Sequence, residues 1–144
     1  MILQRALISE TVTTDHSYYT IRYSEPLNLV EINWNEISST DELQISLLHL
    51  LNVIKEKQPQ FLIADTRHVN SFSSDDQSWI RNTFLSALNT SSITRFARIT
   101  EPDVFTQAII ESLLGYVQEE NQFGCLMRSF DNREPALDWL FSTL

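Results

Sequence analysis

Residues 43–65 read LQISLLHLLNVIKEKQPQFLIAD, and this stretch decides the fold. Leu43, Leu47, Leu50, Leu51 and Ile54 recur at helical spacing, so the segment winds into a helix with one buried stripe. Gln58-Pro59 stops that helix, because proline has no N–H to continue the ladder and turns the preceding residue away from helical backbone. The apolar run Phe61-Leu62-Ile63-Ala64 then reads as a buried strand. A helix that feeds a buried strand is the repeating unit of α/β sheets.

Reading outward, the unit recurs. A second helix starts near Asp75 with Ile80, Phe84, Ala87 and Leu88 on one face, and a strand follows at Ile93 to Ile99. Val104, Phe105, Ala108, Ile109, Leu113 and Val117 predict a third helix, Cys125 to Phe130 a strand, and Ala136, Leu137, Leu140, Phe141 and Leu144 a terminal helix. Upstream, residues 3–12 are ambiguous between a short strand and irregular chain. Residues 18–23 and 27–34 are rich in aromatic and β-branched residues and flank Ser24-Glu25-Pro26, which predicts an antiparallel hairpin. A tight turn at 24–27 opposes Ile21 to Val30 and Tyr19 to Ile32, and it sets Arg22 diagonal to Glu31 on a semi-polar face.

Each helix opens on a side-chain oxygen three residues ahead of an acidic or amide residue: Ser39 with Glu42, Ser74 with Gln77, Thr100 with Asp103, and Asp131 with Glu134. The expected fold class is therefore α/β, one domain over 1–144, with a mixed sheet. An N-terminal antiparallel hairpin precedes alternating helices and parallel strands joined by right-handed crossovers.

Composition narrows function more than it names it. At 144 residues, 42% hydrophobic and 20% charged, the chain is long enough for one ordinary core, and it has no apolar run near the ~18 residues of a membrane span. The start, MILQRALISE, does not read as a secretory signal, so a soluble, cytoplasmic protein is expected. Ten basic residues against nineteen acidic ones, with only Lys55 and Lys57 as lysines, argue against nucleic acid as a partner. Gly115 and Gly124 are the only glycines, which excludes a P-loop, a dinucleotide fingerprint and a G-x-S-x-G elbow. His16, His49 and His68 are dispersed and Cys125 is the single cysteine, so neither a metal site nor a cofactor is expected. Cys125 opens a buried strand and should behave as a small unreactive hydrophobe, and His49 should lie on the polar side of its helix. Arg22, Arg98 and Arg128, which share the strands with acidic neighbours, are expected in solvated ion pairs.

The segment from Asp65 to Gln77 is where ligands would collect, because Asp65 ends a strand at the carboxyl edge of the sheet before a long strand-to-helix connection. Asp65, Thr66, Arg67, Ser73, Ser74, Asp76 and Trp79 are the candidate interaction residues. Two roles are open for Asp65: recognition of a partner, or pairing with Arg67 and the loop backbone. Ser73 or Ser74 is open to an acceptor or phosphorylation role at a helix N-terminus, the other reading being that Ser74 only caps the second helix. Trp79 and Trp139 lie near helix starts, where packing is the expected role.

The runs Phe61 to Arg67, Asp76-Gln77-Ser78-Trp79 and Glu134-Pro135-Ala136-Leu137-Asp138-Trp139-Leu140 resemble the uncharacterised bacterial branch of STAS-like domains. These domains are similar in fold to the anti-sigma-factor antagonists, and the likeness spans roughly residues 18 to 142. The resemblance implies a curved mixed sheet covered by helices and a non-enzymatic, protein-interaction or regulatory role. In the antagonists a regulatory serine precedes glycine-containing sequence at the start of the second helix. Ser73 and Ser74 fall near that place but are followed by Asp75-Asp76 and no glycine. The expected partner is a protein, with a second copy of the chain as one candidate. The alternative is a small-ligand or lipid-binding module of the same fold, which a cavity of several hundred Å3 lined by the first and third helices would favour.

Overall fold

In a computed structural model the described residues are 11–15, 18–35, 39–69, 73–101 and 124–142. Six strands form one sheet in the order of the chain: β1 (Thr11–Asp15), β2 (Tyr19–Ser24), β3 (Leu29–Trp34), β4 (Phe61–Asp65), β5 (Arg95–Ile99) and β6 (Leu126–Phe130). The first three are antiparallel neighbours and the last four are parallel. The fold is the expected α/β arrangement of a hairpin followed by parallel strands and helices. A strand is present at Thr11–Asp15, and residues 3–10 of the ambiguous opening lie outside the described set.

The hairpin register differs from the expected one by two residues. Tyr19 pairs with Trp34, Ile21 with Ile32 and Tyr23 with Val30, so Arg22 sits directly opposite Glu31 rather than diagonal to it. The cause is a longer turn, Glu25 to Asn28, in which Asn28 adopts left-handed backbone (φ 55°) and donates its N–H to the Glu25 carbonyl at 3.1 Å. Asparagine tolerates that conformation where bulkier residues do not. A two-residue slip preserves which side chains share a face, so the core assignment survives.

Helix α1 (Thr40–Lys57) opens on Ser39, whose hydroxyl accepts the Glu42 N–H at 3.1 Å. It carries Asp41 and Glu42 in its first turn and Lys55 and Lys57 in its last, each complementing the helix dipole. It ends at Gln58 in left-handed backbone (φ 54°), with the N–H bonded to the Ile54 carbonyl at 2.8 Å and Pro59 following. The second helix is continuous but not uniform: α2 (Ser74–Trp79), a π-helical stretch (Ile80–Leu85) and α3 (Ser86–Asn89). The wider winding brings Leu85 into the core beside Ile80, Phe84 and Leu88, and leaves Ala87 half-buried. The Ser86 hydroxyl donates to the Arg81 carbonyl five residues back at 3.2 Å. The last helix, α4 (Arg133–Leu140), is capped by Asn132 rather than Asp131, the Asn132 side chain accepting the Glu134 N–H at 3.4 Å. The third helix expected over 104–117 and its Asp103 lie outside the described residues, whereas Thr100 is buried and donates its N–H to the Phe130 carbonyl at 2.8 Å.

The sheet is covered on both faces. On one, Ile21, Val30, Ile32, Leu62 and Phe96 pack with Leu47, Leu50 and Ile54 of α1 and with Phe84 and Leu88. On the other, Leu29, Ile63, Ala97 and Ile99 pack with Ala136, Leu137 and Leu140 of α4. The middle of β4 is buried throughout, as a parallel strand with helices on both sides must be. Glu31 therefore does not lie on a semi-polar face. It is buried under α4, with its carboxylate taken by Arg133 (Nε–Oε1 2.8 Å, Nη2–Oε2 2.9 Å).

Candidate functional site

Strand β4 ends at Asp65, at the carboxyl edge shared by β3, β5 and β6. Asp65 Oδ1 accepts the Arg67 backbone N–H at 3.1 Å and its Nε–H at 3.0 Å, and Oδ2 accepts Nη2 at 2.6 Å. A carboxylate thus binds both the backbone and the fork of one arginine two residues on, a bidentate arrangement that fixes the loop. The Asp65 side chain is 13% exposed and that of Arg67 36%, so the carboxylate is turned inward while the guanidinium reaches solvent. Hydrogen bonding to Asp65 raises the Arg67 pKa above the usual arginine value; burial opposes this, and the charges of Asp65 and Glu101 reinforce it.

Thr66 locks the loop to the neighbouring strand, donating both its N–H and its hydroxyl to the Ile99 carbonyl at 2.8 Å each. Its own carbonyl accepts the Val69 N–H at 3.0 Å, and Val69 is buried beneath the turn. His68, next to it, is exposed. Asp65, Thr66 and Arg67 therefore form one rigid group.

The remaining candidates form a second group at the start of α2. Ser73, not Ser74, caps this helix: its hydroxyl accepts the Asp76 N–H at 3.0 Å, and Asp76 Oδ2 accepts the Ser73 N–H at 3.2 Å. The reciprocal bonds make a capping box shifted one residue upstream of the expected Ser74 and Gln77 pair. Asp76 is buried by this work, whereas Ser73, Ser74 and Asp75 are exposed. Trp79 is half-buried against the main core, so packing is its observed role. Residues 70–72 between the two groups lie outside the described set.

Among the described residues no cluster of three or more His, Cys, Asp or Glu side chains is placed to hold a metal ion. Cys125 is buried immediately before β6, and burial pushes its thiol pKa up to about 12. His49 is half-buried rather than a surface residue, its Nδ1 lying 2.7 Å from the hydroxyl of buried Tyr19. Desolvation, with a contribution from Tyr18, raises the Tyr19 pKa. Arg98 is likewise buried, hydrogen-bonded to Ser129 across β5 and β6. A further cation was not legible as functional or structural: Arg95 Nη1 donates to the carbonyls of Trp139 (2.9 Å), Leu140 (3.1 Å) and Ser142 (2.9 Å), closing the C-terminus of α4. Forty-odd residues separate these partners, so no local pattern announces them.

Among the described residues, two surface grooves flank the fold. One, of about 560 Å3, lies between the end of α1 and the end of the second helix at α3, with Leu51, Lys55, Ala87, Thr90 and Ser91 among its lining, and the helix expected over 104–117 lies outside the described residues. The other, of about 470 Å3, lies at the amino ends of β4, β5 and β6 beside Arg95 and Phe141. Both are open and mix apolar with polar walls. No family model, no curated protein and no solved structure matches this chain. No helix among the described residues is long and apolar enough to cross a membrane.

Proposed function

We propose that this chain is a non-enzymatic, cytoplasmic, STAS-like domain that binds a protein partner through the connection after β4, the start of α2 and the neighbouring sheet edge. The observation that carries the reading is the Asp65–Arg67 clamp: a guanidinium held in place from below yet open to solvent. A preorganised arginine loses little freedom on binding, which makes it an effective anchor for a carboxylate or backbone carbonyl of a partner. Ser73 and Ser74, at the start of α2, are exposed as well. The element order, a hairpin followed by helices alternating with parallel strands, supports the STAS-like assignment.

Affinity capture from the native cell, with wild type and Arg67→Gln as matched baits, tests the proposal. A partner enriched by wild type should fall by at least about fivefold with the variant, equivalent to roughly 1 kcal/mol, while circular dichroism shows the fold retained. Equal enrichment by both baits would remove this loop from the interface.

A further inference from the structure

Helix α1 is apolar on two sides. Leu43, Leu47, Leu50 and Ile54 face the sheet, whereas Ile45 and Leu48 are 55% and 47% exposed. At about 100° per residue, Asp41, Gln44, Ile45, Leu48, Leu51, Asn52 and Lys55 all fall within roughly 60° of a line through Leu48. Along that line an acid and a base flank an apolar centre of exposed Ile45 and Leu48 and half-buried Leu51, which also packs on the core, with Gln44 and Asn52 between them. Asp41 and Lys55 are equidistant from Leu48 in sequence, and so are Ile45 and Leu51 and the polar pair Gln44 and Asn52. The stripe is therefore complementary to itself when reversed.

We propose that this face is the docking surface for a second copy of the chain, the two α1 helices packing antiparallel about a twofold axis at Leu48. Ile45 of each copy then meets Leu51 of the other, Leu48 meets Leu48, and Lys55 meets Asp41. An isologous interface requires this kind of self-complementarity. A parallel arrangement sets Asp41 beside Asp41 and Lys55 beside Lys55, and a partner of one charge sign leaves one end of the stripe facing a like charge. The groove that Leu51 and Lys55 share with Ala87 and Thr90 leaves room for the first turn of the partner's helix. The apolar centre supplies the attraction and the two ion pairs fix direction. An 18-residue helix is about 27 Å long, so one helix pair covers less than the roughly 1,600 Å2 of a standard interface, and the dimer is concentration-dependent.

Sedimentation equilibrium from micromolar to near-millimolar protein decides it. Wild type should move from monomer to dimer, and Leu48→Glu, at an exposed position, should raise the dimer Kd at least about tenfold. Asp41→Lys and Lys55→Asp should each weaken the dimer by about threefold, because each places like charges together, and the double reversal in one chain should return the Kd to within about twofold of wild type. Circular dichroism confirms that each variant keeps its helices. A wild-type chain that stays monomeric throughout, a dimer indifferent to Leu48→Glu, or a double reversal that recovers nothing would each overturn the proposal.

Discussion

Arg133 closes on Glu31 from 102 residues along the chain, its Nε and Nη2 each bonded to one carboxylate oxygen at 2.8 and 2.9 Å. The pair ties α4 to the central strand β3 and explains how a glutamate sits in the second core. Hydrogen bonding to Glu31 holds the Arg133 pKa above its usual value, against burial and with help from the charges of Glu31 and Glu134. Removing one member leaves the other without its counter-charge. Arg133→Ala is expected to cost about 2–3 kcal/mol, below the 3–5 of a fully enclosed pair because the arginine is partly solvated. Urea unfolding curves measure it, and a midpoint equal to wild type would show that α4 docks through its apolar residues alone.

Asp65→Asn weakens three hydrogen bonds to Arg67 by removing the charge that strengthens them. A loss of roughly 1–3 kcal/mol is expected whatever partner is present. Thermal melts beside wild type provide the check, and an unchanged Tm would mean that Thr66 and Val69 order the loop without the clamp.

The two adjacent serines separate cleanly by role. Ser73→Ala removes the cap of α2 and should lose about 0.5–2 kcal/mol, whereas Ser74→Ala, at an exposed position without a capping bond, should stay within about 0.5 kcal/mol of wild type. Denaturant titration of both variants tests the pair together. Equal effects would place the cap elsewhere.

Cys125 should resist thiol reagents in the folded protein and react on unfolding. Its folded pKa, about 12, lies above the ordinary 9.0, so the thiol contributes stability that is fully present below pH 9 and is lost as pH rises from 9 towards 12. The urea midpoint of wild type should therefore fall towards that of Cys125→Ala between pH 8 and pH 10.5. A gap between the two proteins that stays constant with pH would contradict the burial argument.

Local signals in the chain determined a good deal. The Leu43 to Ile54 stripe, the Gln58-Pro59 stop and the Phe61 to Ala64 run appear as a helix, its left-handed end and a buried strand. Ser39 with Glu42 is observed as expected, because a capping bond spans only three residues and depends on little else. The caps of α2 and α4 lie one residue from the expected positions, because Ser73-Ser74 and Asp131-Asn132 each offer two adjacent acceptors and the geometry of the incoming chain chooses between them. The π-helical stretch has no signature in the sequence, because Ile80, Phe84 and Leu88 satisfy the ordinary helical period equally well.

Tertiary structure alone decided the rest. Hairpin register was set by the left-handed Asn28 and a turn longer than its residues announced. Glu31 alternates with apolar residues as a solvent-facing side chain would, and only the arrival of α4 on that face makes it a buried ion-pair partner. Arg95 on the end of α4 and Tyr19 on His49 are likewise joined across long stretches of chain. Hydrophobic period and capping are short-range and so are written in neighbouring residues, whereas the pairing of charges and the burial of a second sheet face depend on which distant segment the folded chain brings there.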